Sequence, residues 1–183
     1  MHRLFVGIRP PEHIRDLLLD AMDDSPEFRW QDDEQLHLTL RFVGSVDRPQ
    51  AEDLAHVLGR LHSQTYSLRI AGVGSFDHRN SGALWAGVDP KAPVSTLAAK
   101  IERACQSIGL APERRAYHPH ITVARWSGRR SSETRAWLER QAGLNSAPFE
   151  VTEFILFESH LSRHGAHYDE IARYSLLQVA ATG

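Results

Sequence analysis

Gln35-Leu36-His37-Leu38-Thr39-Leu40-Arg41-Phe42 alternates apolar and polar side chains, the pattern of a strand with one buried and one open face. Parity puts His37, Thr39 and Arg41 on the open face and Leu38 and Leu40 toward a core. A second stretch, His120-Ile121-Thr122-Val123-Ala124, repeats the arrangement 83 residues later. If the apolar faces are core, two imidazoles and two hydroxyls are presented together on the opposite side. Such a set suits a phosphate.

Working outward, strand signals lie at 3–8, 35–42, 66–76, 83–88, 120–124, 149–161 and 167–177, each rich in β-branched or aromatic residues. Helix signals lie between them, at 12–22 after Pro10-Pro11, 49–63 after Asp47, 94–108 before Gly109, and 132–141 between Ser131 and Gly143. Pro at the start and Gly past the end are ordinary helix boundaries. The mixed order predicts an α+β fold with largely antiparallel sheets. Each motif strand is followed by a turn and then a helix, so a degenerate internal duplication is expected. The expectation is one domain over 1–183 of two pseudo-symmetric lobes, each a mostly antiparallel sheet backed by helices, with the active site in the cleft between them.

An apolar fraction of 42% and a net charge of −2 describe an ordinary folded chain and argue against a broad nonspecific nucleic-acid surface. A local basic site stays open. The apolar run 4–8 is interrupted by Arg9 and Pro10-Pro11, too short for a membrane span, and a cytoplasmic monomer is expected. Cys105 is the only cysteine, which excludes an internal disulfide and reads as a buried, inert thiol.

Histidine titrates near neutrality, so a neutral imidazole can take a proton from water while a protonated one gives a proton to a leaving oxygen. Hydroxyls of Thr39 and Thr122 would donate to the phosphoryl oxygens. Strict alternation favours Arg41 as the charged partner. Arg125, an odd five residues past His120, would point away unless the strand ends, twists or bulges near Ala124.

The stretches 36–44 and 119–125 resemble the two signatures of the 2H phosphoesterase superfamily, most closely the RNA 2′,3′-cyclic phosphodiesterases once described as 2′-5′ RNA ligases (the LigT-like group). Arg3 to Ile8, Phe157 to Ser159 and Tyr168 to Ile171 resemble that family too. The resemblance implies metal-free hydrolysis of terminal RNA 2′,3′-cyclic phosphates to 2′-phosphates in RNA processing, with no cofactor. It implies His37 as proton donor to the leaving 3′ oxygen and His120 as proton acceptor from water. Thr39, Thr122 and Arg125 would bind the substrate phosphate, the family pattern overruling parity for Arg125. Arg41 and Phe42 are further substrate-binding candidates, Phe42 as a base-stacking surface or as core. RNA ends or nucleotides carrying a 2′,3′-cyclic phosphate are the expected partners, without metal or membrane.

Two other readings compete. One is a noncatalytic nucleotide or RNA-end binding module; the other is a phosphodiesterase for a small cyclic phosphate such as ADP-ribose 1″,2″-cyclic phosphate. Metal ligation by His118, His120, His160, His164 and His167 is disfavoured, because Pro119 fixes the first pair and 160–167 reads as a hairpin turn. Arg114-Arg115, Arg129-Arg130 and Arg163 could guide RNA or form solvated loops.

Overall fold

In the computed structural model, which describes residues 1–178, the elements run β1 (His2–Ile8), α1 (Glu12–Asp20), β2 (Arg29–Trp30), β3 (Leu38–Val46), α2 (Arg48–Gly59), β4 (Tyr66–His78) and β5 (Ser81–Asp89). They continue with α3 (Lys91–Ser107), β6 (His120–Ser127), α4 (Ser132–Arg140), β7 (Phe149–Val151), β8 (Glu153–Ser162) and β9 (Gly165–Ser175). The expected strand over 149–161 is two, parted at Thr152, and β2 is an element that periodicity did not signal. Gln35 belongs to a short 3-10 turn, Asp33–Gln35. There the Asp32 carboxylate accepts from the Gln35 amide and the Gln35 side chain returns to the Asp32 amide. Asp47 and Gln50 repeat this reciprocal cap at α2. Each cap contributes about 1 kcal/mol.

The strands lie in the order β7-β4-β5-β6-β3-β1-β8-β9, with β2 paired to β6, and neighbouring strands are antiparallel. The sheet has a seam in its middle. There β3 and β6 share the register pair Leu38–Ile121, whereas β5 and β6 run together from Ser81–Ser127 to Gly87–His120. Outward from the seam lie two halves of the same length, β3-β1-β8-β9 and β6-β5-β4-β7. The second half is continuous in sequence. The first is completed by β8 and β9 from the far end of the chain.

One face of the sheet meets the helices. Leu4, Val6, Ile8, Leu38, Leu40, Ile121 and Val123 pack there with Leu18, Leu54, Leu58, Leu97, Ile101 and Trp137. Full burial of each Leu or Ile contributes about 1.5–3 kcal/mol. The Trp137 indole N–H donates to the Ala21 carbonyl at 2.9 Å, whereas the buried indole N–H groups of Trp30 and Trp126 find no protein partner among the described residues. Phe5, Ile155 and Phe157 form a separate cluster against Tyr168 on the helix-free face, where the motif histidines also lie. Among the described residues no helix is long and apolar enough to cross a membrane.

Candidate active site

Antiparallel register carried one residue either side of Leu38–Ile121 sets His37 across from Thr122 and Thr39 across from His120. Each motif histidine is therefore set opposite the other motif's threonine along the seam. Both rings are oriented the same way. His37 Nδ1–H donates to the Gln35 carbonyl at 2.7 Å, and His120 Nδ1–H donates to the His118 carbonyl at 2.6 Å. A carbonyl only accepts, so the proton sits on Nδ1 in both neutral rings and leaves Nε2 with its lone pair. Thr39 Oγ1–H donates to His37 Nε2 at 3.0 Å.

Each ring has its own aromatic nest. His37 lies 4.8 Å from the Phe5 ring and 5.1 Å from Tyr168; His120 lies 4.8 Å edge-on to Phe76 and 6.1 Å from Trp85. Burial against these rings disfavours the imidazolium. Chiefly for that reason the His37 pKa is lowered to about 4, with the Arg125 charge adding to the effect. His120 is lowered for the same leading reason, followed by the charges of His118 and Arg125. Both shifts favour the neutral imidazole at neutral pH.

Bulges decide which side chains join them. In β6 the pairing to β5 passes from Leu84–Ala124 to Trp85–Thr122, so Val123 is an extra residue. Val123 and Ala124 are both buried, and Arg125 emerges exposed on the histidine side. In β3 the pairing to β1 passes from Gly7–Thr39 to Val6–Arg41, so Leu40 is the extra residue. The expectation that Arg41 shares the His37 face is thereby corrected. Its guanidinium turns to the helix side, pairs with Glu102 of α3 and donates to the carbonyls of Phe42 and Ala111. Phe42, five residues past His37 as Arg125 is five past His120, takes the open face with 38% exposure.

Two clefts flank the histidine pair. One, of about 520 Å³, is walled by His37, Thr39 and Arg125 together with Arg3, Arg29 and Tyr168. The other, of about 350 Å³, is walled by Thr39 and His120 with Phe42, Phe76, Tyr117 and His118. Phe42 borders both. Tyr117 hydroxyl donates to the Thr39 carbonyl at 2.9 Å, fastening the loop before β6 to the first motif. The β8–β9 hairpin closes the larger cleft, held by Gln35 Nε2 donating to the Ala166 carbonyl at 2.8 Å.

Arg3, Arg29, Tyr168, Phe76 and Tyr117 are site residues that motif reading did not reach. Arg29 sits on the two-residue β2, and the aromatics come from strands far away in sequence. Of the arginine pairs, Arg115 is engaged by Glu113 and Arg130 by Asp77. His160 and His167 pair across the β8–β9 hairpin and both meet the Asp169 carboxylate, away from the motif pair. Among the described residues no group of three or more His, Cys, Asp or Glu side chains is arranged to hold a metal ion. Cys105 is buried, and burial pushes its thiol up to about 11.

Residues 10–163 match the 2′-5′ RNA ligase superfamily. A Geobacillus stearothermophilus RNA 2′,3′-cyclic phosphodiesterase is 33% identical over 86% of this chain, which spans only 51% of that relative's length. The Aeropyrum pernix RNA 2′,3′-cyclic phosphodiesterase is 31% identical, with 75% of this chain and 80% of the relative covered. Among solved structures, Escherichia coli LigT complexed with 3′-AMP superposes with a TM-score of 0.80 at 26% identity, covering 96% of this chain and 98% of LigT.

Proposed function

The chain belongs to the 2′-5′ RNA ligase superfamily, and on that premise we propose that it hydrolyses terminal RNA 2′,3′-cyclic phosphates to 2′-phosphates by paired-histidine acid–base chemistry. The observation that carries this reading is the matched pair of imidazoles, each held by a carbonyl two residues upstream so that Nε2 is left for proton transfer. The two relatives named as RNA 2′,3′-cyclic phosphodiesterases and the LigT complex with 3′-AMP support the same substrate class. In the proposed step His120 Nε2 takes a proton from water as its oxygen attacks phosphorus. The bond from phosphorus to O3′ breaks, and protonated His37 gives its proton to O3′. Thr39, Thr122 and Arg125 hold the nonbridging oxygens, whose charge grows in the transition state. The phosphodiester anion itself lifts the His37 pKa from its depressed value, supplying the acid form when substrate is bound.

The aromatic cleft of Phe42, Phe76 and Tyr117 receives the terminal base by stacking, which serves any base. The test is an RNA ending in a 2′,3′-cyclic phosphate, incubated with protein and excess chelator, with 2′- and 3′-phosphate products resolved. The expected product is the 2′-phosphate, with turnover lowered about 10²–10⁴-fold in His37→Ala and in His120→Ala. Near wild-type turnover in either variant, or loss of activity on chelation alone, contradicts the mechanism. Tight nucleotide binding with no hydrolysis would favour a binding module instead.

A further inference from the structure

The larger cleft carries more positive charge than a single phosphodiester can neutralise. A cyclic phosphate brings one negative charge, which Arg125, the two threonines and one imidazolium already answer. Yet Arg3 and Arg29 line the same cleft. Neither they nor Arg125 form an ion pair or side-chain hydrogen bond among the described residues; Arg3 lies over the Phe42 ring at 4.9 Å. Arg29 and Arg125 are direct register partners across β2 and β6. By contrast Arg9 and Arg15 are answered by Asp33, and Arg41 by Glu102. The Asp32 carboxylate accepts from the Gln35 amide in the cap of the 3-10 turn and, among the described residues, forms no ion pair with any of these arginines. Like charges converge without a counter-charge where an anionic ligand supplies it.

We infer that Arg3 and Arg29 form a subsite for a second phosphate group of the substrate, beside the phosphate held between the two histidines; the inference rests on the phosphodiesterase reading above. The placement of the base gives it direction. With Arg3 covering one face of Phe42, a base stacks from the aromatic-cleft side. The 2′ and 3′ oxygens of the terminal nucleoside are both taken by the cyclic phosphate, which leaves its 5′ oxygen to carry another phosphate. The second phosphate is therefore the one attached to the 5′ oxygen of that nucleoside. It is either a diester continuing an RNA strand or a 5′-phosphate monoester, two groups with the same oxygens and one guanidinium-binding chemistry.

Titration calorimetry with adenosine 2′-monophosphate and adenosine 2′,5′-bisphosphate isolates the subsite from catalysis. The wild-type protein is expected to prefer the bisphosphate by about tenfold or more, the size of one charge-assisted contact. Arg3→Gln and Arg29→Gln each lower that ratio, and the double variant brings it toward one. Equal affinity for both probes, no binding of either, or a ratio unchanged in the variants overturns the subsite. Hydrolysis of adenosine 2′,3′-cyclic phosphate, its 5′-phosphorylated form and a dinucleotide ending in the cyclic phosphate then separates the two sources. A gain in kcat/KM for the dinucleotide assigns the diester; a gain for the 5′-phosphorylated nucleotide alone assigns the monoester. If nothing is hydrolysed while the binding ratio holds, the phosphodiesterase reading falls and the subsite stands.

Discussion

His37 and His120 do opposite work in the proposed reaction although their surroundings treat them alike. Aromatic burial lowers both pKa values, His37 to about 4. The productive form has one ring protonated and the other neutral, and its population peaks midway between the two pKa values. Because kcat/KM reports the enzyme without substrate and both values lie below the ordinary 6.5, its bell is centred on the acid side of pH 6.5 and falls through neutrality. The kcat profile lies at higher pH, because bound phosphate raises the imidazole that must carry a proton. Profiles measured from pH 4 to 9 on a cyclic mononucleotide check this; a kcat/KM maximum above pH 7 contradicts it. Thr39, whose hydroxyl already donates to His37 Nε2, must rotate toward the phosphate when that nitrogen gains its proton.

At the level of strands, the extra residues Leu40 and Val123 explain why Arg125 joins the cleft of His37 while Arg41, which borders the smaller cleft, turns its guanidinium to Glu102. Arg41 instead links β3 to α3 and to the loop before β6: Glu102 pairs with it and also accepts the Glu113 amide at 3.0 Å. Arg41→Ala is expected to lower stability by about 1–2 kcal/mol, since it leaves the Glu102 carboxylate with only the neutral donors of Gln106 and Glu113, and to reduce turnover by loosening the loop that carries His118. Glu102→Gln should act in the same direction. Denaturant unfolding of both variants checks this. If Arg41 bound phosphate directly, its variant would raise KM at unchanged stability and Glu102→Gln would leave activity intact. The motif strands, their histidines and the four helices were legible because alternation, caps and helix-ending glycines are local signals. The bulges were not, because an extra residue is defined by its partner strand: Leu40 and Val123 look like any other apolar position in a list of residues. Arg29 was hidden for a related reason, as two residues of β2 show no period. The resemblance to 2H phosphoesterases pointed to Arg125 where parity did not.

Across the whole molecule the two halves are alike in space and unlike in sequence. The half containing His120 is one continuous stretch, but the half containing His37 waits for β8 and β9, which bring Phe157 and Tyr168 to its imidazole. A chain stopped after Val151 is expected to lack a folded first half: β1 would lose its β8 partner, and hydrogen exchange should find β1 amides unprotected while those between β5 and β6 retain some protection. Equal protection in both halves would contradict the dependence. Synthesis proceeds from the N-terminus at roughly 5–20 residues per second, so both histidines leave the ribosome well before the strands that complete the His37 nest. A nascent chain in the company of messenger and ribosomal RNA thus carries both histidines, both threonines and Arg125 before the larger cleft is walled by Ser159, Ala166 and Tyr168. Pairing of the β8–β9 hairpin onto β1 makes the larger cleft a structure finished only once that hairpin has left the ribosome, after both motif strands.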